Sequence, residues 1–344
     1  MEPARLPGAP DCYDAAMSRD DYERHLARDQ PGLYESHYLK ANSGDGGEAF
    51  WIKHNLLVPP GGGGIAEFWF IWFRRDESPR VWKREVPVAE LTLSSTEVAL
   101  RGDRFQLDRN GCEGQIGDAS WRLKFSGGLS PLFHFSSPRM YRGSLPKKKL
   151  MTPAPNLRFD GEIAIAGRTI AVASWIGLRG HNWGSEHAYS YAYGSCNRWD
   201  DAATDRTVDG FTARIKLGRM LSPWLSSLIY WGESARIERN GLRHWMNRSA
   251  VVEPMRWRLA YRGLELVMQG RSEQYAGLRY RHPGGQESYC YNTKFANVSV
   301  TTHTGRYTSD AGEHEVLFPE PLPDVPLHPA VGWQQADGDY QSSR

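Results

Sequence analysis

Short runs of β-branched and aromatic residues, broken by turn-forming residues roughly every ten positions, constrain the fold of this chain most strongly. From residue 49 onward, runs such as AFWIKHNLLV, GEIAIAGRTIAVASWIG and YCYNTKFANVSV are separated by Gly, Pro, Asn and Asp. This spacing is typical of antiparallel sandwiches and barrels. No repeat of roughly 20 to 50 residues is evident, so neither a propeller nor a solenoid is indicated. The sequence predicts an all-β protein.

The chain length favours two domains. With 344 residues it exceeds the roughly 250 to 300 residues at which single cores stop growing. Only residues 13–42 have helical composition, and Pro31 and Gly32 split them into a helix and an irregular arm. The polar stretch at 197–210 marks the division between two β-domains, unless it is a long hairpin loop inside one domain. We predict an arm with a short helix over 1–42, β-domains over 43–202 and 203–320, and a flexible tail over 321–344.

Composition and charge exclude several classes of partner. The 42 basic and 40 acidic residues leave a formal charge of +2, too little for general binding to a phosphate backbone, so we expect no nucleic-acid partner. The basic run Lys147–Lys149 is interpreted as a solvated loop. The first residues contain no apolar segment typical of a secretory signal, and we therefore expect a cytoplasmic protein.

The longest apolar run, IAEFWFIWF at 65–73, is too short to cross a membrane and contains Glu67. No transmembrane segment is predicted, although peripheral contact with a membrane stays open. Because the run is apolar on both faces, it predicts a strand buried between a barrel interior and a second layer, or one facing an apolar ligand. Trp69 is accordingly a candidate ligand contact. Lys294, in a second alternating run, is expected at the surface.

The segment RGHNWGSEHAYSYAYG, residues 179–194, concentrates proton-transfer groups and aromatic rings. Read as one strand, alternation places bulky hydrogen-bonding side chains on one face. That set comprises His181, Trp183, Ser185, His187, Tyr189, Tyr191 and Tyr193. The opposite set is mostly small, so we predict that the bulky face lines a cavity. A bulge at Gly184 is the alternative, and it would bring Glu186 to the side of His181.

Other kinds of site lack sequence support. His181, Glu186 and His187 match no common zinc-ligand spacing, so no metal is predicted. Neither a phosphate-binding glycine loop nor a G-x-S-x-G nucleophile motif occurs, and no cofactor is predicted.

Three segments resemble the hydroxyneurosporene synthase, or carotenoid 1,2-hydratase, superfamily. They are EAFWIKHNLLVPPGGGGIAEFWFIWF, PAPNLRFDGEIAIAGRTIAVASWIGLRGHNWGSEHA and YCYNTKFANVSV. The resemblance runs from about residue 34 to 305. It implies two lipocalin-like β-barrel or sandwich domains, with tocopherol cyclase and fungal Diels-Alderases as remote relatives.

The resemblance also implies roles for individual residues. In the carotenoid hydratases a His-x-Trp pair and a later Tyr-x-Asp pair are associated with protonating a double bond. His181 and Trp183 match the first pair, whereas no Tyr-x-Asp pair occurs near residues 199–209. The implied ligand is a large apolar or polyene-like molecule in or between two barrels.

These observations lead to one preferred function and two alternatives. The preferred function is a cofactor-independent lyase or isomerase, of the hydratase or cyclase type, acting on an isoprenoid, polyene or polyketide. The candidate catalytic residues are His181, Trp183, Glu186 and Asp209, and the candidate substrate-binding residues are Asn182, His187, Tyr189, Tyr191, Tyr193 and Trp69. The alternatives are a non-catalytic carrier of a hydrophobic ligand and a partner-binding β protein.

Overall fold

Antiparallel strands form nearly all of the secondary structure, as the alternating runs predict. The structure, a computed structural model, describes residues 30–94, 96–232, 235–247, 249–328 and 340–341. The first twelve strands are β1 Leu33–Asn42, β2 Glu48–Val58, β3 Ile65–Arg74, β4 Arg80–Pro87, β5 Thr92–Leu93, β6 Leu100–Arg101, β7 Phe105–Leu107, β8 Gly111–Ile116, β9 Ala119–Gly127, β10 Leu132–Phe133, β11 Lys148–Ile165 and β12 Arg168–Gly184.

The remaining strands follow after a short connection. They are β13 Ser190–Cys196, β14 Thr207–Arg214, β15 Lys216–Leu217, β16 Met220–Leu221, β17 Leu225–Gly232, β18 Ala235–Arg239, β19 Val251–Glu253, β20 Arg256–Tyr261, β21 Leu264–Gln269, β22 Ala276–Arg281, β23 Glu287–Thr302, β24 Arg306–Phe318 and β25 Tyr340–Gln341. The described α-helices are α1 Pro138–Arg142 and α2 Leu242–Trp245. No helix in the described ranges is long and apolar enough to cross a membrane.

The first large sheet contains the strands of the N-terminal half. Its order is β25, β4, β3, β2, β1, β12, β11, β9, β8, β7, β6 and β5, with β10 paired to β11. The sheet is curled, as contacts between aromatic rings of distant strands show. Phe68 of β3 stacks on Phe105 of β7 with centroids 3.8 Å apart, and Phe70 stacks on Trp121 of β9 at 4.9 Å. These contacts enclose the first hydrophobic core.

The second large sheet contains the strands of the C-terminal half. Its order is β18, β17, β14, β13, β24, β23, β21, β20 and β19, with β22 paired to β23. It also curls around a core of its own. The curvature brings the distant strands β20 and β14 together, where Trp257 Nε1 donates to Thr212 Oγ1 at 3.0 Å. β15 and β16 form a separate two-stranded hairpin. Two curled antiparallel sheets fit the expected pair of lipocalin-like domains.

Strands β2 and β3 are buried on both faces because the second sheet packs on the outside of the first. Along β3, Phe68 and Phe70 belong to the first core, whereas Trp69 and Ile71 pack at the interface between the sheets. The prediction that residues 65–73 form a strand buried between a barrel interior and a second layer is confirmed. Burial on two faces explains why this run shows no polar alternation.

Several boundaries differ from those expected. Leu33–Asn42, assigned to the arm, forms the buried strand β1, while the predicted helix lies outside the described residues. The chain passes from the first sheet to the second between Gly184 and Ser190, and residues 197–206 connect the paired strands β13 and β14. Residues 321–328 of the predicted tail pack on the second sheet, where Val325 is buried and His328 N donates to Gly277 O at 2.8 Å.

Candidate active site

The segment 179–194 does not form one strand. β12 ends at Gly184 and β13 begins at Ser190, in the other sheet. At Gly184 a Cβ atom would lie only 1.9 Å from the Lys147 carbonyl oxygen, so glycine permits this close approach of two chains. The prediction that the odd-numbered side chains share one face is therefore wrong. His181 and Trp183 face one space, and Tyr191 and Tyr193 face another.

His181 belongs to a buried cluster inside the first sheet. His37 of β1 and His181 of β12 are cross-strand partners, and they lie on the face that carries the first core. Glu35 Oε1 lies 2.9 Å from His181 Nε2 and 3.3 Å from His37 Nε2. The two imidazole rings stack with centroids 4.0 Å apart, and Trp183 stacks on His181 at 4.4 Å. None of these side chains reaches the surface to more than a few per cent.

Glu35 is a hydrogen-bond acceptor shared by the two histidines. We call Glu35, His37, His181 and Trp183 the Glu35 cluster. Burial alone would raise the pKa of Glu35, but hydrogen bonds from His181 and His37 outweigh it and hold the pKa well below its usual value. One ligand atom from each of the three residues lies within 4.8 Å of the others, as in a metal site. Both Nε2 atoms lie within hydrogen-bond distance of the same carboxylate oxygen, Glu35 Oε1, and this contact already satisfies them without an ion. The geometry fits a charge-assisted cluster better than a metal centre.

A cavity lies at the interface between the two sheets, on the opposite face of β1 and β12. Its lining residues are Tyr38, Trp51, Lys53, Phe135, Pro146, Lys148, Leu150, Asn182, His187, Ala188, Tyr191, Tyr193, Phe211, Ala213, Ile215, Leu225, Trp245, Tyr280 and Glu315. The volume open to the centre of a water molecule is about 120 Å³. Small-molecule pockets typically have volumes of roughly 300 to 1,000 Å³, so this cavity is smaller than that range and a drug-sized ligand requires its walls to move apart.

Two phenols connect the cavity to a buried carboxylate. The Tyr38 hydroxyl donates to the Tyr193 hydroxyl at 3.0 Å, and Tyr193 donates to Asp209 Oδ2 at 3.2 Å. Thr152 Oγ1 donates to the same oxygen at 2.7 Å, and His134 Nε2 lies 3.0 Å from the other oxygen, Oδ1. Because both phenols line the cavity, hydrogen bonds connect its wall to the buried Asp209.

This chain of hydrogen bonds, the Tyr38–Tyr193–Asp209–His134 relay, is sealed from solvent. Asp209 and His134 are fully buried, and the His134 Nδ1 atom lies 3.0 Å from Ser227 Oγ. Burial, followed by the charge of Asp209, raises the pKa of Tyr193 well above its usual value. The phenol therefore stays protonated at neutral pH and can act as a donor.

Three charged side chains also line the cavity. Lys148 Nζ lies 4.0 Å from the centre of the Tyr191 ring, and Lys53 Nζ lies 4.0 Å from the centre of the Tyr280 ring. Burial lowers the pKa of Lys53, and it lowers that of Lys148 to about 8. Glu315 accepts a hydrogen bond from the Tyr191 hydroxyl and another from Asn292 Nδ2 at 3.2 Å.

The structure places the predicted catalytic residues in three different environments. Asp209 lies directly behind Tyr193 at the cavity wall. His181 and Trp183 lie on the other face of the first sheet, in the Glu35 cluster. Glu186 is half-exposed on the connection between the sheets, where its carboxylate lies 2.5 Å from Lys147 Nζ. The alternative of a bulge that turns Glu186 toward His181 is not what the structure contains.

The predicted substrate-binding residues are mostly brought together. Asn182, His187, Tyr191 and Tyr193 line the cavity. His187 also stacks on Tyr34 with centroids 3.9 Å apart. Tyr189 and Trp69 are not among the lining residues, and Trp69 is fully buried in the interface core.

Sequence reasoning missed Tyr38, His134, Glu315 and the two cavity lysines. Tyr38 was assigned to an irregular arm, because residues 34–40, YESHYLK, show no apolar–polar alternation that would indicate a strand. Lys148 belongs to the run that was interpreted as a solvated loop. Only Lys147 is exposed there, because residues 148 onward enter β11. Lys294, expected at the surface, is fully buried with Glu313 at 2.9 Å, so that prediction was wrong.

Two solved structures share this fold over nearly the whole chain. A crystal structure of a putative AttH from Nitrosomonas europaea is similar with a TM-score of 0.60 and 13% identity, covering 91% of this chain and 98% of that one. Kievitone hydratase from Nectria haematococca is similar with a TM-score of 0.51 and 10% identity, covering 87% and 94%. No protein-family model and no curated protein matches the sequence. At these identities the similarity establishes the architecture of two lipocalin-like domains.

Proposed function

We propose that the protein is a cofactor-independent lyase or isomerase, of the hydratase or cyclase type, acting on a hydrophobic isoprenoid, polyene or polyketide bound between the two sheets. The observation that carries this proposal is the relay that ends at two phenols in an otherwise aromatic cavity. A cavity that only binds a ligand does not require the hydrogen bonds that connect Tyr193 to Asp209 and Asp209 to His134. The fold shared with kievitone hydratase is consistent with hydration chemistry.

Tyr193 is the group positioned to exchange a proton with the ligand. In elimination or isomerisation, its oxygen takes a proton from the ligand while its own proton moves to Asp209. The reverse sequence moves a proton from Asp209 to Tyr193 and from Tyr193 to a double bond. His134 holds the Asp209 oxygen that does not contact Tyr193, so it orients the carboxylate in both directions. General acid–base catalysis of this kind contributes about 10²- to 10⁴-fold.

The aromatic walls suit the cationic character that develops when an alkene is protonated. Tyr38 lines the cavity, and a desolvated ring stabilises a positive charge by roughly 0.5 to 2 kcal/mol, whereas the rings of Tyr191 and Trp51 already lie close to lysine ammonium groups. These contributions fall short of the barriers that enzymes lower, which are of the order of ten kcal/mol. The relay is therefore the essential part of the proposal.

A carrier for a hydrophobic ligand is the second candidate. It is favoured by the position of His181 and Trp183, which match the family pair but lie in the Glu35 cluster rather than at the cavity. A carrier would use Tyr38 and Tyr193 as lining only. Loss of the Tyr193 hydroxyl would then leave its function unchanged.

Turnover with an extracted ligand pool separates the two candidates. The purified protein is incubated with a hydrophobic extract of the expressing cells, and products are followed by liquid chromatography and mass spectrometry. We expect a compound that gains or loses one water, or an isomer of unchanged mass, with wild type and Tyr189→Phe but not with Tyr193→Phe. Tyr189 is a matched control because it lies outside the cavity lining. Equal conversion by Tyr193→Phe contradicts the catalytic proposal.

A further inference from the structure

We infer that the ligand of this cavity carries a carboxylate, held by Lys53 and Lys148. The inference rests on the proposed ligand-binding role of the cavity and adds a chemical class to it. The family resemblance implies an apolar or polyene-like ligand. Two ammonium groups in the cavity lining require a different partner.

The two cavity lysines differ in their partners from Lys83 and Lys294, whereas Lys40, which is fully buried outside the cavity lining, also has no hydrogen-bond partner among the described residues. Lys83 lies 2.8 Å from Glu67 and 2.6 Å from Glu85, and Lys294 lies 2.9 Å from Glu313. Among the described residues neither Lys53 nor Lys148 makes a hydrogen bond or an ion pair, and their close contacts are with aromatic faces. Lys53 is 95% buried, and its side chain lines the cavity, where a ligand can supply the acceptor that the protein does not.

Charge balance within the cavity points to one anionic group. Glu315 is the single carboxylate among the lining residues of the described chain, against two ammonium groups. Its oxygens are engaged by the Tyr191 hydroxyl and the Asn292 amide. Burial, together with the charge of Lys148, lowers the pKa of His187 well below its usual value, so His187 adds no positive charge near neutral pH. One ligand carboxylate would neutralise the lining.

The rest of the lining determines what the carboxylate is attached to. Trp51, Phe135, Tyr191, Phe211 and Tyr280 supply mostly ring surface around the two ammonium groups. Such a lining fits an amphiphilic acid with an apolar body. An ammonium also opposes the build-up of positive charge beside it, so the lysines are better placed next to the acid group than next to a protonated alkene.

A matched pair of probes tests the inference. Binding of 2-naphthoate and of its neutral analogue 2-naphthamide is measured by calorimetry on wild type, Lys53→Met, Lys148→Met and Lys147→Met. We expect naphthoate to bind wild type at least tenfold more tightly than the amide, and each cavity variant to lose about tenfold in naphthoate affinity but not in amide affinity. Lys147→Met, the exposed neighbour paired with Glu186, should behave as wild type.

Three results overturn this inference. They are equal binding of the acid and the amide to wild type, an equal loss of affinity in Lys147→Met, and failure of both probes to bind. Thermal unfolding of each variant verifies that it is folded. The turnover assay on Tyr193→Phe tests the proposed function. Its result does not depend on the ratio of naphthoate to naphthamide affinity, so the two claims can fail independently.

A different observation, the distribution of exposed apolar side chains, carries a second proposal. Six large hydrophobic side chains are exposed in the described part of the chain, and five of them flank segments that line the cavity. We call these five the rim: Leu145, Leu217, Met220, Leu221 and Met246. Leu145 and Met246 adjoin the lining residues Pro146 and Trp245.

The other three rim residues lie on the β15–β16 hairpin, which extends from the lining residue Ile215. Ile215 and Ser222 are joined by hydrogen bonds of 2.9 and 3.0 Å at the base of this hairpin. Met220 at its tip is 72% exposed. Apolar side chains on three segments that adjoin the cavity lining are therefore presented to solvent.

The rim segments are also basic. Residues 142–147, 215–222 and 243–246 contain Arg142, Lys147, Lys216, Arg219 and Arg243, and the charge of Lys147 is balanced by Glu186. Exposed aliphatic side chains combined with basic ones are the features of a surface that binds anionic lipid. We propose that the rim docks on an anionic membrane surface, which places the cavity opening against a source of amphiphilic ligand.

Vesicle sedimentation tests the docking proposal. We expect wild type to bind vesicles of phosphatidylcholine with phosphatidylglycerol, and to bind pure phosphatidylcholine more weakly. Leu217→Ser with Met220→Ser should weaken binding, and Lys216→Glu should weaken it by about fivefold or more. Val251→Ser is the matched control, because Val251 is the exposed hydrophobic residue outside the rim. No binding to either vesicle, or an equal loss in Val251→Ser, overturns the proposal, as does retention of binding by the rim variants.

Discussion

The Tyr193 hydroxyl donates a hydrogen bond to Asp209 Oδ2 at 3.2 Å, which links a cavity-lining phenol to a carboxylate that has no exposure to solvent. The two residues are on the neighbouring strands β13 and β14, where Asp209 is paired with Ser195, two residues beyond Tyr193. Their contact depends on sheet pairing and not on proximity in a sequence motif. It joins two residues that the sequence had nominated for different roles.

Removing the Tyr193 hydroxyl should abolish most turnover without unfolding the protein. We expect Tyr193→Phe to lower the rate of product formation by about 10²- to 10⁴-fold, because no other phenol contacts both Tyr38 and Asp209 in the described chain. Rates are measured with the extracted substrate, and Tyr189→Phe serves as the control. A Tyr193→Phe variant that retains wild-type rates would refute the role of the relay.

His181 should matter more for stability than for binding. In His181→Ala the buried Glu35 carboxylate loses its 2.9 Å hydrogen-bond partner, and leaving a buried charged acceptor without a partner costs about 1 to 3 kcal/mol or more. We therefore expect a large decrease in the free energy of unfolding in urea, with naphthoate binding to the folded protein unchanged. His303→Ala, at an exposed site, is the control. Unaltered stability together with lost turnover would instead assign His181 to the reaction.

Lowering the pH should decrease the free energy of unfolding, because Glu67 becomes protonated. Burial alone would raise the pKa of Glu67, but Lys83, followed by Arg281 and Asn55, lowers it to about 2 from 4.5. A folded-state pKa below the unfolded value means that the stabilisation is complete above pH 4.5 and is lost as the pH falls toward 2. Glu67→Gln should therefore be less stable than wild type at pH 7, by on the order of 3 kcal/mol.

That stability difference should shrink as the pH falls through this range. The measurement is urea unfolding of wild type and Glu67→Gln at a series of pH values. Glu77→Gln, at a half-exposed carboxyl, provides the control and should track wild type. A difference between wild type and Glu67→Gln that is independent of pH would contradict the assignment.

Gly180 should be required for the position of Tyr38. The two residues are cross-strand partners, and a Cβ atom at 180 would lie 2.0 Å from Tyr38 Cζ, so the ring must move. We expect Gly180→Ala to shift the Tyr38 hydroxyl away from Tyr193 and to lower turnover by on the order of tenfold to a hundredfold. Gly61→Ala, where a Cβ meets nothing within 4 Å, is the control for the same chemical change. Equal rates for the two variants would show that Tyr38 need not hold this position.

The fold class could be predicted because alternation is a local property. Residues 65–73 lack polar alternation, but their burial could also be predicted, since a nine-residue apolar run has few ways to be buried on both faces other than between two layers. The lining residues Asn182, Tyr191 and Tyr193 could likewise be nominated from one segment. The position of His181 could not, because a change of sheet between Gly184 and Ser190 reverses which side of a strand meets the cavity.

The rest of the site depends on contacts between distant parts of the chain. Asp209 meets Thr152, Tyr193 and His134 from three other strands or loops, and no spacing in the sequence encodes those contacts. Lys148 looked like part of a solvated basic run because charge alone does not reveal where a strand begins. Buried polar groups of this kind are paired by tertiary structure, and single-sequence patterns carry little information about such pairs.

The most direct test of the account is whether filling the cavity removes a bound molecule. Ala213 lines the cavity, and Ala213→Trp would occupy much of its volume. Native mass spectrometry of the purified proteins should detect a small molecule with an acid group bound to wild type and to Gly61→Ala, and none bound to Ala213→Trp. Retention of the same molecule by all three proteins, or by none of them, would contradict the claim that the cavity between the two sheets is the ligand site.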